Sequence, residues 1–253
     1  MPVIYLINVG ANTSHHTVAR SPLFPDGSFT YVSFPDKDWP TPYPPSMKRF
    51  VRKSETLTTH LDPDWEHLTY GDVCSNPRAG SLSRVIENDI LLFWALLWEI
   101  PDKDHDVFSV LEDSRRWCLI GALRVEHILE AGESIAKLPR ELRERALHNA
   151  HVRGGYVEQR KSVRVFLGDP KHSAAFHQAV DLGIYQEDSL LQKTVYTTDG
   201  KEIAWKSKPP WYSVIRSCRA ILDLSVPENR DRAELLRRAI KKWNPTFDLL
   251  AWT

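Results

Sequence analysis

Hydrophobic positions follow two different periods along this chain, and the periods divide it into strands and helices. VIYLIN (3–8) is a short unbroken apolar run ending near Gly10, the pattern of a strand covered on both faces. SFTYVSF (28–34) follows the turn PDG and alternates Phe29, Tyr31 and Ser33 with Thr30, Val32 and Phe34, which predicts a second strand. ILLFWALLWEI (90–100) and RRWCLIGALRVEHIL (115–129) are longer apolar runs, rich in aromatic and β-branched residues. That content, with Gly121 in the second run, predicts paired buried strands. SVRVFLG (162–168) predicts a further strand, and TTDGK (197–201) a hairpin-type turn.

The helical period appears later. SIAKLPRELRERALHNAHV (134–152) carries Leu138, Leu142 and Leu147 among charges, with Pro139 in its first turn, and predicts one amphipathic helix. WYSVIRSCRAILDL (211–224) and SVPENRDRAELLRRAIKKW (225–243) predict two more. The last is expected to start at a capping box of Ser225 and Glu228 and to bury Leu236, Ala239, Ile240 and Trp243. Between strands, five prolines in positions 35–45 (PDKDWPTPYPP) exclude helix and sheet interior, leaving a stiff loop or lid. No internal repeat or long linker interrupts this order. The expectation is one α+β domain over 1–253, with a mixed, mostly antiparallel sheet, flanking helices and a C-terminal helical segment.

Composition changes this picture little. Hydrophobic residues at 42% and charged residues at 26% are ordinary for a globular protein. The 33 basic and 33 acidic residues cancel, so nucleic-acid binding needs a local patch. Cys74, Cys118 and Cys218 lie far apart without CxxC spacing, against a zinc ribbon or disulfide framework. The apolar run at 90–100 is about half the roughly 20 residues of a membrane helix, and the N-terminus lacks a signal-peptide pattern, so a cytoplasmic location without membrane contact is expected.

Candidate chemistry concentrates in THLDPDWEHLTYGD (59–72). His60, Asp62 and Asp64 alternate, and Pro63 favours an extended Asp62, so the three side chains are expected to share one side. An imidazole with two carboxylates suits a divalent zinc, manganese or non-haem iron ion, with Asp26 or His151 completing the set. The same residues equally suit a metal-free acid/base site, or a turn in which the aspartates cap backbone N–H groups. Gly71 permits a sharp turn that aims Asp72 back at Asp62, where close carboxylates raise one pKa. In HNAHVR (148–153), His151 is a proton carrier or ligand, or else a partner of the helix end. The cationic MKRFVRK (47–53) offers Arg49, Arg52 and Lys53 for phosphate contact, or a solvated face, and Trp39 and Tyr43 beside it offer stacking surface.

Several of these pieces together resemble the third of the families called nucleotide modification associated domains. They are LINVGANTS, SPLFPDGSFTYVSFP, HLDPDWEHLTYGD, NDILLFWALLW, RRWCLIGALRV, HNAHVR and KPPW, in this order. The resemblance implies an α+β fold and a role in nucleotide or DNA modification, often in phage or mobile-element settings. It implies site residues at Asp26, His60, Asp62, Asp64, Asp72, Asn149 and His151, with Tyr70 and Arg153 inside the matching stretches. A weaker likeness, of the paired runs to the small barrels of PUA, ASCH and EVE domains, implies recognition of unusual bases and a sheet closed on itself. Three roles stay open: an enzyme acting on a nucleotide or base, a binding module for a modified or flipped base, and a structural partner of other modification proteins. Walker, HExxH, GxSxG and zinc-deaminase signatures are absent from the sequence.

Overall fold

A long strand buried on both faces organises the molecule. The computed structural model describes residues 1–12, 14–36, 39, 41–54, 57–76, 79–159, 162–183, 190–194 and 220–251. Strand β4 (Ile90–Glu99) buries nine consecutive side chains, Ile90 to Trp98. It does so because it lies inside the sheet, with β1 (Val3–Asn8) and β2 (Ser21–Leu23) parallel along one edge and β5 (Arg115–Glu130) antiparallel along the other. A strand with neighbours on both edges and cover on both faces has no polar side, hence the unbroken apolar run.

β5 spans sixteen residues and, on the edge away from β4, serves two further partners. Register shifts between Leu119 and Gly121, and between Val125 and His127, bend it. Its first half therefore pairs with β7 (Ala174–Asp181) and its second half with β6 (Val163–Gly168). Gly121 is required at the bend, since a Cβ there would lie 2.7 Å from the Ala174 carbonyl oxygen and would strike the Trp65 ring. β3 (Thr69–Val73) pairs antiparallel with β6 at one end of the sheet, and β8 (Ala220–Asp223) antiparallel with β1 at the other. Among the described residues the path β3-β6-β5-β4-β1-β8 is open and does not close into the expected barrel. The α+β class and the predominance of antiparallel pairing stand.

The short helices α1 (Pro45–Lys48), α2 (Arg140–Ala146), α3 (Ala150–Arg153), α4 (Tyr156–Gln159) and α5 (Leu190–Thr194) precede the long α6 (Pro227–Trp243). Four expectations from the pattern are corrected. The single helix over 134–152 is broken into a 3-10 turn, α2 and α3, because Asn149 is extended and caps α3 with its side chain instead of continuing α2. Residues 28–34 form no strand; a lone bridge joins Leu23 to Phe29, and Tyr31, Val32 and Ser33 are buried in a row instead of alternating. Of the helix expected over 211–224, the described part is 220–224, and its residues 220–223 are strand β8, held by β1. α6 begins after Val226 with no side-chain cap, and Trp243 is 44% exposed while Ala233, Leu236 and Ile240 are buried. TTDGK lies outside the described residues. No helix among the described residues is long and apolar enough to cross a membrane.

Candidate metal centre

Residues 57–64 run as an extended thread between loops. Isolated bridges join Thr59 to Pro35 and Thr58 to Pro42, and the Thr59 N–H donates to the Thr41 carbonyl at 2.8 Å. These contacts present His60 and Asp62 to the same side. The Asp62–Pro63 peptide is cis, and the Tyr31 hydroxyl donates to the Asp62 carbonyl at 2.6 Å. Asp64 then exchanges two backbone bonds with Thr69, at 2.9 and 3.0 Å, and so closes the 64–69 turn into β3. Arg145 of α2 clamps this turn by donating to the carbonyls of His67, Leu68 and Gly168.

His151 reaches the same place from α3. The Asn149 Oδ1 accepts the His151 N–H at 2.9 Å, while its Nδ2 donates to the Thr69 hydroxyl at 3.1 Å, tying α3 to β3. The His151 Nε2 lies 3.2 Å from the His60 Nε2 and 3.4 Å from an Asp62 carboxylate oxygen. That oxygen also accepts the Gly71 N–H at 2.8 Å. His60, Asp62 and His151 are 6%, 3% and 5% exposed, and each offers one ligand atom within 4.8 Å of the other two. Gly71 lies within a strand and makes no sharp turn; its role is space, because a Cβ there would strike the His151 ring and sit 3.1 Å from the Asn149 Oδ1.

Aromatic rings surround the two imidazoles. Trp39, from the proline-rich loop, packs at 4.3 Å on His60, 5.3 Å on His151 and 4.7 Å on Tyr156, where the rings stack. Phe34 lies 5.0 Å from His60 on another side. Gly154 leaves the gap that Trp39 and Tyr156 fill. Burial, reinforced by His151, pushes the His60 pKa well below its ordinary value, so His60 is neutral at physiological pH. Burial pushes the Asp62 carboxyl up to about 6, against hydrogen bonds from His151 and Gly71 that favour the ionised form. The His60 Nδ1, His151 Nδ1 and Asp62 Oδ1 atoms are buried without hydrogen-bond partners.

Other expected site residues lie elsewhere or are otherwise engaged. The Asp64 carboxylate turns away from Asp62, accepting the N–H groups of Glu66 and His67 at 3.0 and 3.2 Å and pairing with the His67 ring at 2.8 Å. It acts as the cap of its turn, as the DPD chemistry allowed, and does not join the cluster. Asp72 accepts the Tyr70 hydroxyl at 2.9 Å and the Val73 N–H; burial raises its pKa, and it acts on Asp62 through space only. Tyr70 packs against Phe93 and Phe166. Asp26 is exposed and paired with Lys103 at 3.4 Å. Arg49 donates to the Lys103 carbonyl, and Arg52 lies over Phe108, so both face the 101–110 loop instead of the histidines. Lys53 is exposed with a φ of 57°, and Arg153 is exposed at the end of α3. Thr69, Tyr31, Tyr156 and Arg145, which also position the centre, carried no functional signal in the sequence, and Gly71, expected at a turn, serves instead as space behind His151. A cavity of about 410 Å³ lined by Leu23, Phe24, Ile100 and Trp243 includes none of the expected site residues.

The fold and the cluster together define an α+β domain with a buried two-histidine, one-carboxylate centre. A family model, nucleotide modification associated domain 3, matches residues 3–221, and the chain belongs to that family. The matched span includes all three cluster residues. Comparison with curated proteins and with solved structures gave no match.

Proposed function

We propose that the protein is a metal-dependent modifying enzyme acting on a nucleotide or nucleic-acid base, with His60, Asp62 and His151 as the protein ligands of one divalent transition-metal ion. The convergence of their three ligand atoms carries this reading. Metal–ligand bonds of about 2.0–2.2 Å, at angles between octahedral and tetrahedral, separate neighbouring ligand atoms by about 2.9–3.5 Å. The 3.2 and 3.4 Å separations fall in that range. His60 supports it by being neutral, the form that ligates, and the unpartnered Asp62 Oδ1 is a further oxygen at the same place.

When bound, such an ion supplies a hydroxide near neutral pH or polarises a substrate oxygen. The Gly71 N–H holds the Asp62 carboxylate, and Asn149 holds the His151 backbone in place from behind. Asp72, with its raised carboxyl near the centre, is the candidate proton carrier. Trp39 is buried between the histidines and half-buried Tyr156, and this ring stack walls the centre. Nucleotide chemistry as the destination rests on the family.

The test is to strip the purified protein with chelator and titrate it with Zn(II), Mn(II) and Fe(II) under anaerobic conditions, following heat and bound metal. One equivalent should bind to the wild type and none to H60A, D62A or H151A. Stoichiometric binding that survives all three substitutions refutes the assignment. Metal binding without turnover of any nucleotide or oligonucleotide would favour a binding module over an enzyme.

A further inference from the structure

A second cluster, outside the metal centre, alternates cations and rings. The Arg20 guanidinium lies 3.8 Å from the centre of the Trp98 ring and 5.4 Å from that of Phe108. Arg52 covers the Phe108 ring at 4.4 Å, and Arg115 lies 5.7 Å from Trp98. The order is Arg52, Phe108, Arg20, Trp98, Arg115, a ladder that gathers three positive charges on one face. Arg20 is 9% exposed and Arg115 is 5% exposed, so two of these charges are largely removed from water.

Carboxylates do not balance the ladder. Glu112 pairs with Arg115 at 3.0 Å, and the Asp106 Oδ1 is taken by the Phe108 N–H at 2.9 Å. Arg20 donates only to carbonyls, those of His16, Val107 and Val110, and among the described residues neither Arg20 nor Arg52 has a carboxylate within ion-pair distance. Burial and then the charge of Arg52 lower the Arg20 pKa, while the charges of Glu112 and Asp106 oppose this. A largely buried guanidinium with no carboxylate in contact, next to two like charges, is costly unless an anion completes it.

The ladder also connects to the metal centre. The Arg20 Nε donates to the His16 carbonyl at 2.8 Å, and the adjacent His15 ring stacks on Phe34 at 5.7 Å, the ring that packs on His60 at 5.0 Å. One turn, residues 14–18, thus has the ladder on one side and the His60 surroundings on the other. Exposed Arg52 and the outer edge of Phe108 complete a face with both charge and ring surface. Charges that meet phosphates, interleaved with rings that meet bases, are how single strands are held without reading sequence.

We propose that Arg20 and Arg52 bind the backbone phosphates of a single-stranded polynucleotide and pass it across the 14–18 turn toward the metal centre, while Arg115, held by Glu112, adds positive charge from behind. The phosphate site stands on the arginines alone; its role in delivering substrate rests on the function proposed above. The test is fluorescence anisotropy of labelled short single-stranded DNA and RNA, with inorganic phosphate and a mononucleotide as competitors, on wild type with and without chelator, R52E and R52K. Two phosphate contacts predict a slope of log affinity against log salt of about −1.4, and R52E should lose about 0.7 of it and at least about tenfold in affinity at low salt. R52K should keep most of the slope, and chelator-stripped wild type should bind the oligonucleotide as the metal-loaded protein does. Retained oligonucleotide binding in a protein that takes up no metal would uphold this site and sink only the metal assignment. Unchanged affinity and slope in R52E overturn the proposal. So does binding of phosphate or mononucleotide with no binding of any oligonucleotide.

Discussion

Replacing Gly71 by alanine tests whether the centre depends on empty space behind His151. The added Cβ would strike the imidazole and lie 3.1 Å from the Asn149 Oδ1, and both groups are fixed, one by α3 and the other by its bond to Thr69. Overfilling a packed site costs about 1–3 kcal/mol, and alanine in a strand returns about 0.5–1 kcal/mol relative to glycine, so a net loss of about 1–2 kcal/mol is expected. The cheapest relief moves His151 off its 3.4 Å approach to Asp62, so metal affinity should fall by about 10–100-fold. Urea unfolding of G71A, H151A and the double variant, all in chelator, separates the steric cause from any other. H151A removes the atoms the new Cβ would strike, so the double variant should be more stable than the sum of the singles by at least about 1 kcal/mol. Additivity within about 0.5 kcal/mol, the behaviour of independent sites, would refute the reasoning.

Three further expectations follow from the same geometry. Asp62 has its pKa raised from 3.8 to about 6, so without metal the native state binds the extra proton and stability falls as pH rises through that window; the full displacement corresponds to about 3 kcal/mol. Because the His60 pKa is depressed, that residue acts in the opposite sense, losing stability as pH falls below 6.5, so the comparison must be with D62N: its advantage over wild type should grow between pH 4 and 6 and level off above, and a flat difference would contradict the burial argument. D64A should cost about 1 kcal/mol in chemical denaturation through its lost turn cap and leave metal binding unchanged in calorimetry, which would separate it from D62A. N149A removes both the α3 cap and the tie to Thr69, so it should lose about 1–2 kcal/mol and weaken metal binding at least about tenfold, measured on the same preparations.

His151 illustrates a change of magnitude as well as of place. A histidine near a helix end is ordinarily part exposed, and its truncation would cost within about 1 kcal/mol. Here it is 5% exposed and in contact with His60, Asp62 and Trp39, so H151A is expected to exceed that figure.

The sequence by itself determined the parts that depend on local period and composition. Runs such as ILLFWALLWEI and RRWCLIGALRV could only be satisfied with cover on both faces, and they are the two central strands. The alternation of His60 and Asp62 in an extended, proline-restrained thread put both on one side, because side-chain direction in extended chain is a local property. Asp64 kept the same spacing but left the cluster, since the chain turns there and its carboxylate finds two N–H groups within three residues. What only the tertiary structure decided are the meetings across long sequence distance: His151 against His60, Trp39 over both, Gly71 behind His151, and Arg20 between Trp98 and Phe108. Such meetings depend on which strands pair and where helices break, and those choices are fixed by the free energy of the whole packed core, which no short window of sequence contains.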